Sequence, residues 1–518
     1  MDNLHSRIIL DGAGNRSSDG LVGAPGSSDL PGTVVSLVEQ MAREHVAWCY
    51  WKSGRRARAA LSGQSDIDVL VAPESQHTAR RVLLGCGFRL FPSVAGRDDP
   101  AIQSFLAHDD ASGAIIHVHF HTRLMVGGAL LKNYRLPWEQ ELVSRAVFGR
   151  GVPMPLLDPA SEAVLLIVRA CLELRRTDPV VARNWGLATR KFALDRADLA
   201  ERIDRAEVRA RAEELLGDNL ADRVANALFD ARPLQNQYEL RRHVRRALAR
   251  YRTYNSVEAP LRASWRALHW VIGALNQRLL HWPRPWSKRA PGGGIVVAIL
   301  GVDGSGKSTL VRGLRSWLDQ DVDVLTIYFG TGDGRPAWFL LPLKLLVPVV
   351  SRVLRRKPHG ASHGEVTASA PGLAYSVLLS IWATVLAVEK RTKLRAARRA
   401  AARGMVVITD RFPQDQIADF NDGPLLPRLS HVPRWLRKFE ASAYALAGRL
   451  PPDLVIKLVA TPELIAVREP TMNPAVIRSR TTAVSRLTFA GSSVAAIPAG
   501  QPAADVLRAV KAEIWRML

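Results

Sequence analysis

The sequence predicts an α/β protein of several domains, and three observations carry that prediction. Residues 291–518 contain five apolar runs of strand length: GIVVAIL, DVLTIYFG, GMVVITD, DLVIKLVA and SSVAAIPA. Helical segments separate most of them, which argues for βαβ units and a five-stranded parallel sheet with right-handed crossovers. Residues 33–157 alternate shorter strands and helices, with HVAWCYWKS, SDIDVLVA, FRLFPS and AIIHVHFH reading as β. Residues 158–290 between these regions read as mainly helical and are expected to connect them. The chain has 518 residues and 47% hydrophobic content, enough for several separate cores.

Each element has a local reason. Residues 1–32 are polar and rich in Gly, Ser and Asp, the composition of a flexible tail without a signal peptide. Asp158 and Pro159 form an N-cap and first-turn pair ahead of SEAVLLIVRACLELRR. In ELRRHVRRALARYR, Leu240, Val244, Leu248 and Tyr251 share one side among arginines. That basic helix and the Trp-bearing segment after it suit either a packed connector or a membrane surface. WPRPWSKRAPGGG, residues 282–294, reads as a linker. The last helix places Val506, Leu507, Val510, Ile514 and Leu518 on one stripe.

The most specific stretch is IVVAILGVDGSGKSTLVRGL. An apolar strand ends at Gly301, and Gly306, Lys307 and Ser308 complete G-x-x-x-x-G-K-[ST] before a helix expected over Ser308–Leu318. Gly301, Gly304 and Gly306 let the backbone N–H groups of the loop, including Ser305, turn toward phosphates, and the helix N-terminus at Ser308 and Thr309 adds its dipole. Lys307 would reach the terminal phosphates of ATP, and the Ser308 hydroxyl would ligate Mg²⁺. Asp410 ends another apolar strand, a position suited to organising Mg²⁺, and Arg411 beside it can grip a phosphate. Positions 302–305 hold no basic residue, so the cation for transition-state charge must come from elsewhere. REPTMNPAVIRSR offers Arg468, Arg478 and Arg480.

With GVDGSGKST, VVITDRF, PDLVIKLVATPELIAVRE and a closing strand and helix, residues 294–518 resemble the thymidylate-kinase-like P-loop kinases. The resemblance implies that Asp303 contacts the phosphate acceptor and that a lid, rather than the loop, supplies the catalytic arginine. One feature departs: where typical thymidylate kinases carry an Arg-Glu-Pro-Gly-Gly-type loop after the second strand, this sequence reads YFGTGDGRPAW. Together with the long insertion from about Ala337 to Arg403, this argues against thymidine monophosphate as the acceptor.

In SGQSDIDVLVAP, Asp66 and Asp68 stand two apart on a strand and therefore on one face, where a divalent metal is the usual reason to tolerate two carboxylates. With Lys52-Ser53-Gly54 upstream, residues 45–121 resemble the minimal nucleotidyltransferase domain. That resemblance implies a third carboxylate on a later strand, but IIHVHFHTRL places His117, His119 and His121 there instead, with His119 in the third position. An active transferase, a nucleotide-binding relic and a separate histidine metal site all remain open on these residues.

Composition adds limits. The formal charge of +23 favours acidic partners, although the excess of Arg and abundance of Ala fit a compositional bias equally well. Cys49, Cys86 and Cys171 show no metal spacing, which suits a reducing, cytoplasmic setting. Trp338–Val350 and Leu373–Val388 are too short to span a bilayer, leaving at most peripheral contact with its inner face. The expected function is an ATP- and Mg²⁺-dependent kinase acting on a nucleotide or other small molecule, with no need for nucleic acid and with homo-oligomers allowed. Nucleotidyl transfer with a regulatory phosphate loop, and an ATP-switched protein that binds membrane or nucleic acid, are the alternatives.

Overall fold

A computed structural model describes residues 30–99, 101–149, 151–330, 373–417, 423–428 and 432–518. The expected tail up to residue 29, most of YFGTGDGRPAW, Trp338–Val350 and the first part of the insertion lie outside them. The fold is α/β and multidomain, with a mixed seven-stranded sheet and an all-parallel five-stranded sheet. The chain divides into two compact units, Met1–Leu280 and His281–Leu518.

In the N-terminal unit the strands are β1 (Trp48–Tyr50), β2 (Ile67–Val71), β3 (Arg89–Leu90), β4 (Ile102–His108), β5 (Ile115–His121), β6 (Leu124–Val126), β7 (Tyr134–Leu136), β8 (Val147–Phe148) and β9 (Pro155–Leu156). The large sheet runs β3-β4-β5-β2-β1-β9-β8, and β6 and β7 form a separate two-stranded sheet. Alternation sorts its side chains between two cores. Trp48, Tyr50, Val69 and Val71 pack with Val34, Leu37 and Met41 from the helix Gly32–Arg43 and with Ala79, Val82 and Leu83 from the helix Gln76–Gly85. Cys49, Trp51 and Leu70 pack on the opposite side with the helices that follow residue 158.

Those helices therefore share a core with the sheet. The helix Pro159–Glu173 starts as its sequence indicates, with Pro159 in the first turn and the Asp158 side chain accepting from the Ser161 N–H. The basic helix Tyr238–Ala247 buries Leu240 and Val244, so its apolar side packs inward. The next helix, Glu258–Leu275, leaves Leu261, Trp265, Leu268 and Val271 exposed.

In the C-terminal unit the strands are β10 (Val296–Gly301), β11 (Val324–Tyr328), β12 (Val406–Asp410), β13 (Leu454–Val459) and β14 (Ser493–Pro498). Four lie within one of the five apolar runs, and β10 extends one residue past its run to Gly301. Their order is β11-β12-β10-β13-β14, all parallel. The central β10 is buried at every position, which is why it reads as an unbroken apolar run. The helix after the loop runs Lys307–Leu318, starting one residue earlier than expected. The final helix, Ala503–Met517, buries Val506, Val510 and Ile514.

Candidate functional site

β10 has a parallel neighbour on each side, β12 and β13, and the glycine-rich turn leaves its carboxyl end. Chain connections diverge from a central strand there, and the crevice they leave is where open parallel sheets bind ligands. Two turn residues need glycine: Gly304 at φ +82° and Gly306 at φ +94°, both left-handed. A side chain at Gly304 would also strike Glu469.

Lys307 is buried at the start of its helix, and its Nζ lies 2.9 Å from the Val302 carbonyl and 3.4 Å from Asp303 Oδ1. Burial lowers its pKa. The Ser308 hydroxyl donates to Asp410 Oδ2 at 3.2 Å, joining loop and strand end across 102 residues of chain. The other oxygen, Asp410 Oδ1, is buried without a hydrogen-bond partner among the described residues. Burial holds the Asp410 carboxyl above its ordinary range, and the cations Lys307 and Arg411 only partly offset it. An oxygen-rich pair with an unspent carboxylate oxygen fits a hard cation such as Mg²⁺.

Asp303 gathers the cations. Arg411 Nη2 lies 2.9 Å from its Oδ1, and Arg480 Nη1 lies 3.4 Å from its Oδ2. Burial alone would raise this carboxyl, but Lys307, Arg411 and Arg480 together hold it below the usual range. Arg411 reaches Asp303 from φ +67°, a left-handed conformation uncommon for a residue with a Cβ. Its backbone N–H donates to the Ile299 carbonyl at 3.0 Å, which pins the turn to β10. Strain of this kind persists where the surroundings over-determine it and concentrates at functional sites.

The candidate arginines separate. Arg468 ends the helix Pro462–Arg468 and donates to the Gly304 carbonyl at 3.2 Å. Arg480 and Arg478 both lie on the helix Pro474–Arg486, two residues and therefore about 200° apart. Arg480 turns to Asp303, whereas Arg478 is exposed.

The N-terminal unit holds a second cluster. β2 and β5 pair in parallel with Asp68 opposite His119. Asp66 Oδ1 lies 3.2 Å from His117 Nδ1, and Asp66 Oδ2 lies 3.8 Å from His119 Nδ1. Asp68 Oδ1 lies 2.9 Å from Lys52 Nζ, 3.2 Å from His121 Nε2 and 3.4 Å from His119 Nδ1. The two aspartates and three histidines thus come together, although Asp66 stands one residue before β2 rather than on the strand as its spacing suggests. Burial pushes His121 down to about 4 and lowers His119 as well. Burial would raise both carboxyls, but His117 next to Asp66, and Lys52 next to Asp68, hold them low. Beside the cluster is a cavity of about 110 Å³ lined by Lys52, Arg56, Lys132, Arg169 and Lys191 with Glu173 and Asp195.

Comparison with known proteins finds relatives for part of the chain. The chain is 30% identical over 222 residues to the uncharacterized ATP-binding protein YghS of Escherichia coli (strain K12), covering 41% of this chain and 90% of YghS. The chain belongs to the YghS family. It is also 26% identical over 216 residues to the uncharacterized ATP-binding protein YghR of the same strain, covering 83% of that protein. No profile of a known protein family matches the chain.

In this YghS-family chain, the structure brings Asp303, Lys307, Ser308, Asp410, Arg411, Arg468 and Arg480 together and leaves Arg478 outside. Asp66 and Asp68 meet each other but belong to the other unit. Sequence reasoning missed Lys132 and Arg169, which line the N-terminal cavity; neither stands in a motif, and only the fold brings them beside Lys52.

Proposed function

We propose that the chain binds ATP at the C-terminal phosphate loop and transfers its γ-phosphoryl group to a small-molecule acceptor other than thymidine monophosphate. The observation that carries this reading is Asp303, a carboxylate held by Arg411 and Arg480 within the loop itself, beside the Ser308–Asp410 pair. ATP binding alone needs no carboxylate there, because it would repel the phosphates. An acceptor hydroxyl on Asp303, with its neighbouring phosphate on the two arginines, gives each of these charges a task. YghS and YghR are both named as ATP-binding proteins, which agrees with the nucleotide half of the proposal.

Ser308 and Asp410 are the residues that would hold Mg²⁺. When bound, the ion would neutralise phosphate charge during transfer. The loop's backbone N–H groups and Lys307 orient the donor phosphates. Arg411 and Arg480 face the position where charge develops between donor and acceptor, and Arg468 braces the loop through the Gly304 carbonyl.

The test is phosphoryl transfer from γ-labelled ATP with Mg²⁺ by the full-length chain, using nucleoside monophosphates, nucleosides, sugars and lipid extract as acceptors. A labelled product lost in Lys307→Ala is expected. ATP binding with no labelled acceptor in any class would reject phosphotransfer and leave a nucleotide switch.

A further inference from the structure

The N-terminal cluster does not suit the metal that its family resemblance implies. A magnesium site of the nucleotidyltransferase kind needs several carboxylate oxygens, because Mg²⁺ is hard and demands oxygen ligands. Here Asp68 Oδ1 is already approached by Lys52, His121 and His119, and the third position offers the imidazole of His119 rather than a carboxylate. Two nitrogens and one carboxylate oxygen remain together. One donor atom each from Asp66, His117 and His119 lies within 4.8 Å of the other two.

We propose that Asp66, His117 and His119 bind one divalent transition-metal ion of the imidazole-preferring class, such as zinc or cobalt, with a coordination position left open to solvent. Three observations support it. First, the Asp66 oxygens lie 3.2 and 3.8 Å from the two imidazole nitrogens. Ligands of one tetrahedral ion at bond lengths of about 2.0–2.1 Å stand roughly 3.3–3.5 Å apart, so small rotations suffice. Second, the His117 and His119 rings are held 4.2 Å apart between centroids, edge to face, and both turn toward Asp66. Third, two carboxylates stand at the site, Asp68 buried and Asp66 half-buried, and the ammonium of Lys52 lies on Asp68 rather than on Asp66. Ligand softness then selects the ion, since imidazole favours zinc, copper or nickel over magnesium. Asp66 and His119 are the less buried members, with side chains 10% and 20% exposed, so an ion would enter past them and keep a face toward water.

Asp68 is a positioning residue in this arrangement. Its Oδ1 lies 3.2 Å from His121 Nε2 and 3.4 Å from His119 Nδ1, the nitrogen that also faces Asp66, and so limits how the His119 ring can turn. The site lies in the unit without the phosphate loop, so it stands or falls independently of the phosphotransferase reading.

The experiment titrates Co²⁺ and Zn²⁺ into the full-length chain stripped of metal, in parallel with Asp66→Asn and His119→Asn. Readouts are metal content after dialysis, the visible absorption of bound Co²⁺, and circular dichroism to verify folding. One equivalent is expected in the wild type, unaffected by an equal concentration of Mg²⁺. Each substitution should weaken binding by ~100-fold or more, at or beyond the loss that follows removal of an outer-shell partner. No stoichiometric uptake, unchanged binding in the folded variants, or displacement by Mg²⁺ would each overturn the proposal. Should a variant not fold, the zinc-edge X-ray absorption of the wild type decides: a shell containing two imidazoles upholds the site, and an all-oxygen shell rejects it.

Discussion

Arg478 and Arg480 are indistinguishable as letters, because both fall in one basic stretch after a strand. Helical rotation separates them, and only Arg480 reaches Asp303. Arg480→Ala is therefore expected to lower the turnover of the phosphotransfer reaction by about 10²–10³-fold, the usual loss for one preorganised group facing developing charge. Arg478→Ala should stay within about threefold, and steady-state kinetics on the two variants checks both. A second residue carries a pH dependence. Burial pushes the Glu162 carboxyl up to about 7, and its Oε1 accepts from the Gly54 N–H at 2.8 Å. The folded chain thus keeps a proton that the unfolded chain releases at its ordinary pKa of about 4.3. The sign follows directly: this stabilisation is complete below the unfolded pKa and is lost as pH rises through about 7. Between pH 5 and 8 the N-terminal unit should lose up to about 3 kcal/mol through this group. Glu162→Gln keeps the acceptor and removes the titration, so its urea midpoint should vary less with pH than that of the wild type.

At the scale of elements, legibility followed burial pattern. β10, β12 and β13 were readable because strands buried on both faces need apolar side chains throughout, whereas the edge strands β11 and β14 are apolar runs that are only partly buried. The phosphate loop was readable for a different reason, since backbone approach to phosphate demands glycines at set positions. β4, with the sequence IQSFLAH, was not singled out, because Gln103, Ser104 and His108 interrupt its apolar pattern. Its identity comes from pairing with β5 from Ile102↔His121 to His108↔Ile115, a contact that no local window contains. β6 to β9 span only two or three residues each, too short for any periodicity. The ion pairs of Asp303 were equally hidden: Arg411 and Arg480 come from 108 and 177 residues away. The helix Pro159–Glu173 lies at the other extreme, with its start written in two adjacent letters. Asp158→Ala removes the acceptor for the Ser161 N–H and should cost the N-terminal unit about 1 kcal/mol, measured as a lower denaturant midpoint with unchanged slope.

The whole molecule consists of two compact units, and each has the apolar core needed for its own cooperative transition. A ligand that binds only folded protein stabilises the unit that holds its site, by about 2.7 kcal/mol at a concentration one hundred times its Kd. The two proposed ligands therefore make separable predictions in one calorimetric experiment. ATP with Mg²⁺ should raise the transition of the unit containing Lys307 and leave the other in place, and Lys307→Ala should abolish that rise. Zinc should raise the transition of the unit containing Asp66, and His119→Asn should abolish that one. If ATP moved both transitions together in the wild type, with zinc absent, the two units would be energetically coupled. The helices after residue 158 would be the first place to seek the route: they share a core with the sheet that carries the Asp66 cluster, and their unit ends at Leu280.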